Sequence, residues 1–198
     1  MKLCFYLATK NKNKIIEIKN IIGDEIEVLL PPDFVEFPEE TGNTLEENSY
    51  IKAFHLSKYV KDQYIVGEDS GLFVEKLNGL PGVISARFSG QRDDRKNIDK
   101  LLKMMEEFKE KEDRKGKFIT VVCLLGKGEK KFFKGEIEGI ITFQPRGTNG
   151  FGYDPVFEIP EIGKTFAELS LEEKNKISHR TKAFLKLKDY LIDKHKRG

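Results

Sequence analysis

The sequence predicts a mixed-sheet α/β domain, and three observations carry that reading. Short apolar runs of strand length alternate with stretches whose apolar residues recur at helical spacing. Tight-turn signals stand at Asn78-Gly79 and, in the second half, at Gly126-Lys127-Gly128, where a hairpin is therefore expected. A length of 198 residues suits one domain, or one domain with a lobed outline, over residues 1–198.

Taken in order, residues 3–8 form a compact apolar run and read as a buried first strand. Ile15, Ile18 and Ile22 follow at helical spacing, and Gly23 stops the helix. Thr44-x-x-Glu47 is a capping-box pattern that opens a helix reaching about residue 60. Residues 64–67 and 72–77 read as two strands with Glu68-Asp69-Ser70-Gly71 between them. Ile98, Leu101, Leu102, Met105 and Phe108 share one face of an amphipathic helix. Residues 118–125 and 131–143 read as paired strands. Ser170-x-x-Glu173 opens a last helix with Ile177, Phe184, Leu191 and Ile192 along one face, which puts Lys174, Ser178, His179 and Arg180 in one helical stretch.

Charge and composition exclude several classes. The 35 basic and 33 acidic residues leave a net charge of +2, which argues against broad, charge-driven nucleic-acid binding. No apolar run approaches the ~20 residues of a membrane span. The first run is too short for a signal-peptide core, so a cytoplasmic protein is expected. Cys4 and Cys123 lie in apolar strand-like runs and read as reduced core residues. HExxH, CxxC and G-x-S-x-G are all absent, which removes zinc-protease and hydrolase-triad readings.

Five segments carry candidate chemistry, each with a plain structural alternative. Thr9-Lys10-Asn11-Lys12-Asn13-Lys14 links strand to helix, where outward N–H groups and the helix dipole favour an anion; otherwise it is a polar turn. Glu68-Asp69-Ser70-Gly71 offers two carboxylates for Mg²⁺ and water, or is an ordinary acidic turn. Glu39-Glu40-Thr41-Gly42 precedes the helix on which Asn48 and Lys52 share a face; His55 and Tyr59 continue that stripe on its wet side. The run from Gly147 to Pro155 has three glycines, Phe151, Tyr153 and Asp154, and suits close backbone approach to a ligand with a ring for base stacking; otherwise it is a structural glycine turn. Lys174 with Ser178, His179 and Arg180 lines a pocket wall or a solvated basic helix.

In this order the segments resemble the Ham1-like, or inosine triphosphate pyrophosphatase, family. The matches are Ala8-Thr-x-Asn-x-x-Lys14, Glu39-Glu-Thr-Gly42, Glu47-Asn48 with Lys52, and Asp69-Ser-Gly-Leu72. They continue through Leu80-Pro-Gly82, Ser85-Ala-Arg-Phe88, Gly150-Phe-Gly-Tyr-Asp-Pro155, Lys174 and Ile177-Ser-His-Arg180. Lys10 stands where many members have Gly, and Glu68 where many bacterial members have Asp.

The resemblance implies a two-lobed fold, with a long mixed β-sheet flanked by helices and a central cleft, acting as a cytoplasmic homodimer without stable nucleic-acid or membrane partners. It implies a housecleaning enzyme that hydrolyses ITP, dITP and XTP to the monophosphate and pyrophosphate with Mg²⁺. Carried over by position, Thr9, Lys10, Asn11, Lys12, Asn13 and Lys14 bind phosphate, and Lys52 and Ser70 touch substrate. Asp69 is the base and, with Glu39, a metal ligand; Glu40 is the alternative to Glu39. Phe151, Gly152, Tyr153, Asp154, Lys174, His179 and Arg180 hold base and sugar, with His179 and Arg180 reading the purine oxo edge. Rival readings are a pyrophosphatase for modified pyrimidine or methylated nucleotides and a non-catalytic nucleotide- or RNA-binding module.

Overall fold

The computed structural model describes residues 3–197; residues 1, 2 and 198 of the expected domain lie outside them. Its elements are β1 (Cys4–Leu7), α1 (Lys12–Ile22), β2 (Glu27–Leu29), α2 (Leu45–Ser57), β3 (Ile65–Val74), β4 (Pro81–Gly82), α3 (Asp94–Met104), β5 (Lys115–Gly126), β6 (Glu129–Ile141), β7 (Phe157–Ile159), β8 (Lys164–Thr165), α4 (Leu171–Ile177) and α5 (His179–Arg197). The strands order as β2-β1-β3-β5-β6-β7-β8, with β4 beside β3. β1 runs parallel to β2 and β3, while β3–β4, β6–β7 and β7–β8 are antiparallel, so the sheet is mixed as expected. The chain forms two compact units. One holds the residues up to Asp69, Thr120–Gly135 and those from His179 on; the other holds Ser70–Ile119 and Glu136–Ser178.

In the first unit, strand alternation sorts the core onto two faces. Phe5, Leu7, Tyr64, Val66, Val122 and Leu124 pack with Ile18 and Ile22 of α1 and with Ala183, Phe184, Leu187 and Leu191 of α5. Ala8, Ile65 and Cys123 pack on the opposite side with Ala53 and Leu56 of α2. Cys4 and Cys123 are free thiols, the first half-buried and the second buried. The helices start where capping allows. The Asn11 and Thr44 side chains accept the N–H groups of Lys14 and Glu47, and Gly23, at φ 67, closes α1.

In the second unit, Leu72, Val74, Leu101, Met105, Phe118, Phe157 and Phe166 form the core. Phe118 and Phe157 meet edge to face at 4.6 Å. Asn78 and Gly79 both take positive φ, as the expected turn between β3 and β4 requires. Arg114 is buried and satisfied by carbonyls, donating to Ile141, Met105, Phe108 and Thr142.

Three expectations are corrected. Glu68-Asp69-Ser70-Gly71 is no turn, because β3 runs unbroken from Ile65 to Val74. Each acid finds cationic partners, which offsets the cost of burying charge in a strand. Nor is the C-terminal helix continuous. Ser178 takes extended φ/ψ (−66°, 158°) after donating its N–H to the Lys174 carbonyl, so α4 ends there and α5 begins at His179. Lys174 thereby falls in the second unit, and His179 and Arg180 in the first. The helix predicted through Phe108 closes earlier, at Met104.

Candidate active site

Because β3 is a strand, the adjacent acids point to opposite faces of the sheet. The register Leu7↔Val66 places both just beyond the carboxyl end of β1. In parallel pairs that is where the βα loop, here residues 9–14, delivers its groups.

On the α1–α5 face, Glu68 accepts from Lys14 Nζ at 2.7 Å and from Arg180 Nη2 at 3.2 Å. Arg180 Nη1 also holds Glu17 of α1 in a short hydrogen bond. All four groups belong to the first unit, and Glu17, Glu68 and Arg180 are each at most 3% exposed. Burial works against the Glu68 charge, yet Lys14, Arg180 and Lys52 hold its carboxyl well below the ordinary carboxylate range. Glu68 is thus held as an anion that fixes the Lys14 ammonium and, with Glu17, the Arg180 guanidinium. Removing one partner of such a buried set typically costs about 3–5 kcal/mol, since the survivor is left uncompensated.

On the α2 face, Asp69 accepts from Asn48 Nδ2 at 3.1 Å and from Lys52 Nζ at 3.1 Å. Lys52 also donates to Glu40 Oε1 at 3.0 Å, and Asn48 Oδ1 receives the Gly42 N–H at 2.8 Å. The residue that permits this is Gly67. A Cβ there would lie 1.9 Å from the Ser49 carbonyl oxygen, so only glycine lets α2 approach β3 so closely. Burial pushes the Asp69 carboxyl above its ordinary value; Lys52 and Lys14 pull it down, and Glu40 and Glu68 push it up again. Burial also works against the Lys52 charge, but Asp69, Glu40 and Glu68 outweigh it, and Lys52 binds its proton more tightly than usual. The two neighbouring acids therefore differ. Glu68 stays ionised, while Asp69 is a proton acceptor of raised affinity.

The second unit holds the glycine-rich loop. Gly147, Gly150 and Gly152 take φ of 80°, 74° and 62°, conformations that other residues adopt only at a cost. Asp154 Oδ2 accepts from the Phe151 N–H at 2.9 Å and from Lys174 Nζ at 2.5 Å. Lys174 Nζ also lies 5.1 Å from the centre of the Phe151 ring. Tyr153 is buried, and its hydroxyl donates to the Ser85 carbonyl at 2.8 Å, which makes it a core support.

The expected site residues thus separate. Asn11 caps α1 and is exposed, as are Lys12 and Asn13; Thr9 is half-buried and accepts the Asn11 N–H. Lys10 donates to the Asp33 carbonyl at 2.7 Å. Glu40, rather than the exposed Glu39, is joined to Asp69 through Lys52. His179 is buried and Ser70 half-buried. Sequence reading passed over Glu17, although a lone acid among Ile15, Ile18 and Ile22, three residues from Lys14, was a readable signal. It also passed over Asp94, whose carboxylate reaches the Gly152 N–H across 58 positions of sequence, a contact no local pattern announces.

Among the described residues no three His, Cys, Asp or Glu side chains form a ready-made metal cage. Mg²⁺ needs none, since it takes one or two carboxylates and fills its shell with water and substrate phosphates. The oxygen donors around Lys52, with Asp69 under-compensated for its burial, fit such an ion.

Comparison with known proteins yields a consistent picture. The family model of the Ham1 family matches residues 5–190. The chain belongs to the Ham1 family. It is 50% identical over 191 residues to the dITP/XTP pyrophosphatase of Caldanaerobacter subterraneus subsp. tengcongensis, covering 94% of each chain. Identity to the dITP/XTP pyrophosphatase of Thermoanaerobacter sp. is 47% over 190 residues, covering 94% of this chain and 95% of the relative. A solved structure of a HAM1 protein from Coxiella burnetii superposes with a TM-score of 0.86 at 38% identity, over 96% of this chain and 99% of that one. The family model spans segments of both units, so the acid pair of β3 and the glycine loop at 147–155 both lie within the matched region.

Proposed function

We propose that this chain is a Mg²⁺-dependent nucleoside-triphosphate pyrophosphatase acting on the non-standard purine nucleotides dITP, ITP and XTP. The observation that carries the reading is Asp69, a buried carboxylate of raised proton affinity, held by Asn48 and Lys52 beside the loop at residues 9–14. Relatives at 47–50% identity named dITP/XTP pyrophosphatase support the substrate class.

In this mechanism Asp69 takes a proton from a water whose oxygen attacks the α-phosphorus. The bond to the bridging oxygen breaks and pyrophosphate departs, after which Asp69 releases the proton to solvent. Lys14 and Lys52 screen the triphosphate and the departing charge, while Thr9 to Asn13 supply polar groups at the start of α1. Asp69 with Glu40 or Glu39 would hold Mg²⁺, which lowers the pKa of bound water and neutralises phosphate charge. Ser70 lies next to Asp69 in β3 and touches substrate. Phe151 stacks on the purine, with Gly152, Asp154 and Lys174 at its sugar and base edges. His179 and Arg180 read the oxo group; Glu17 and Glu68 fix the guanidinium in advance, so little ordering cost remains at binding. Adenine presents a donor where hypoxanthine and xanthine present an acceptor, and a mismatched donor left unpaired gives strong discrimination.

We read residues 1–198 as a single Ham1-like domain, a reading supported by a family model that matches residues 5–190. The net charge of +2 favours a small-molecule substrate over nucleic acid. No helix among the described residues is long and apolar enough to cross a membrane. We further place the enzyme in the cytoplasm as a homodimer. The test is pyrophosphate release from dITP, ITP, XTP, GTP and ATP, with Mg²⁺ and with EDTA. Turnover of the first three that disappears with EDTA and returns with Mg²⁺ is expected. A preference for ATP or GTP, or full turnover without metal, refutes the proposal.

A further inference from the structure

Two successive amides in the glycine loop are each held by a carboxylate. Phe151 N–H donates to Asp154 Oδ2 at 2.9 Å, and Gly152 N–H donates to Asp94 Oδ2 at 2.7 Å. Asp154 comes from within the loop and is itself held by Lys174 of α4 at 2.5 Å. Asp94 comes from the first turn of α3, a helix anchored in the core of the second unit by Ile98 and Leu101. Asp94 thus ties the peptide after Phe151 directly to α3, beside the tie that Lys174 of α4 makes through Asp154.

The loop needs such a tie. Gly150 and Gly152, on either side of Phe151, both take positive φ, and an added Cβ at Gly152 would meet nothing within 4 Å. Glycine at that position is thus explained by backbone conformation rather than by packing, and glycine is the residue with most freedom to lose. With the Asp94 contact gone, the Phe151–Gly152 peptide can rotate and swing the ring.

Asp94 does not cap its own helix. The cap of α3 is made by Asp93, which accepts from Lys96 N–H at 3.0 Å. Asp94 is itself exposed, and exposed positions contribute little to folding.

We propose that Asp94 is a positioning residue for nucleotide recognition, holding the Phe151 ring in stacking orientation through the Gly152 N–H. This rests on the reading that Phe151 stacks on the purine. Asp94 touches no reacting atom, so its removal acts on binding and leaves the chemical step alone.

The experiment is steady-state hydrolysis of dITP by the parent, Asp94→Ala, Asp94→Asn, Phe151→Ala and the Asp94→Ala/Phe151→Ala double variant, with thermal melting of each. Asp94→Ala is expected to raise KM about tenfold at parental kcat, the scale of one lost charge-assisted hydrogen bond. Asn keeps an acceptor oxygen and recovers most of that loss. In the Phe151→Ala background the Asp94→Ala change adds nothing further to KM, because there is no ring left to orient. An equal loss in both backgrounds, or a fall in kcat at parental KM, overturns the role of Asp94. A parental Asp94→Ala beside an impaired Phe151→Ala does so too, and leaves the stacking reading standing. Parental KM in Phe151→Ala overturns the stacking reading itself.

Discussion

The close approach of α2 to β3 at Gly67 offers a direct way to separate site geometry from site composition. In Gly67→Ala no catalytic or binding side chain changes. The added Cβ, however, would sit 1.9 Å from the Ser49 carbonyl oxygen and 2.9 Å from the Ala53 nitrogen, both backbone atoms of α2. Ordinary contact begins at 3.4 Å, so the helix must retreat by about 1.5 Å. Asn48 and Lys52 each reach Asp69 at 3.1 Å and ride on that helix. A retreat of this size carries both past the ~3.5 Å limit of a useful hydrogen bond. Displacement of positioning groups by about 1 Å can cost about 10²-fold in rate, which is the fall in kcat expected here. Overpacking should also remove about 1–3 kcal/mol of stability. In a chain of this length that lowers Tm by about 2–4 °C for each kcal/mol. The assay is pyrophosphate release from dITP, alongside a thermal melt and far-UV circular dichroism that establish folding. A folded Gly67→Ala enzyme with parental kcat refutes the claim that the helix–strand distance sets the Asp69 site.

Two further outcomes follow from the acid pair. Asp69→Asn keeps the shape but loses the proton acceptor, so kcat should fall about 10²-fold or more while the melting temperature stays near that of the parent; steady-state kinetics on dITP checks this, and a near-parental kcat moves the base to another residue. Glu68 is held below its ordinary pKa by Lys14 and Arg180, so it contributes stability that is present above its unfolded value and lost as pH falls towards the folded one. Glu68→Gln should therefore melt lower than the parent at neutral pH, with the gap closing as pH falls through the acidic range. Melting at a series of pH values tests this, and a gap independent of pH contradicts it.

Much of the scaffold was legible because local rules govern it. Helix starts at Thr44 and Ser170 rest on side chains capping N–H groups three residues on, a contact fully encoded in short segments. The turns at Asn78-Gly79 and Gly126-Lys127-Gly128 likewise follow from residues that tolerate positive φ. The ordered motifs, from the loop at 9–14 through the acid pair to the glycine loop, pointed to the Ham1 family, and the family model matches residues 5–190.

Charges that pair across long sequence distances were another matter. Two adjacent acids read as a turn, because nothing near them in sequence offsets burial. Lys14, Lys52 and Arg180, which do so, lie 54, 17 and 112 positions away. Once those partners converge, the segment extends as a strand, and strand alternation sends Glu68 to α1 and α5 and Asp69 to α2. The break at Ser178 separates Lys174 from Arg180 in a segment whose apolar spacing reads as continuous helix, since Lys174 pairs with Asp154 and Arg180 with Glu17 and Glu68. By itself the sequence determined the alternation of strands and helices, the caps and turns, and the set of residues with chemistry to offer. Which carboxylate is locked as an anion, which is poised to take a proton, and which helix each one faces were decided by tertiary structure, because burial and the distance to a compensating charge exist only after the chain has folded.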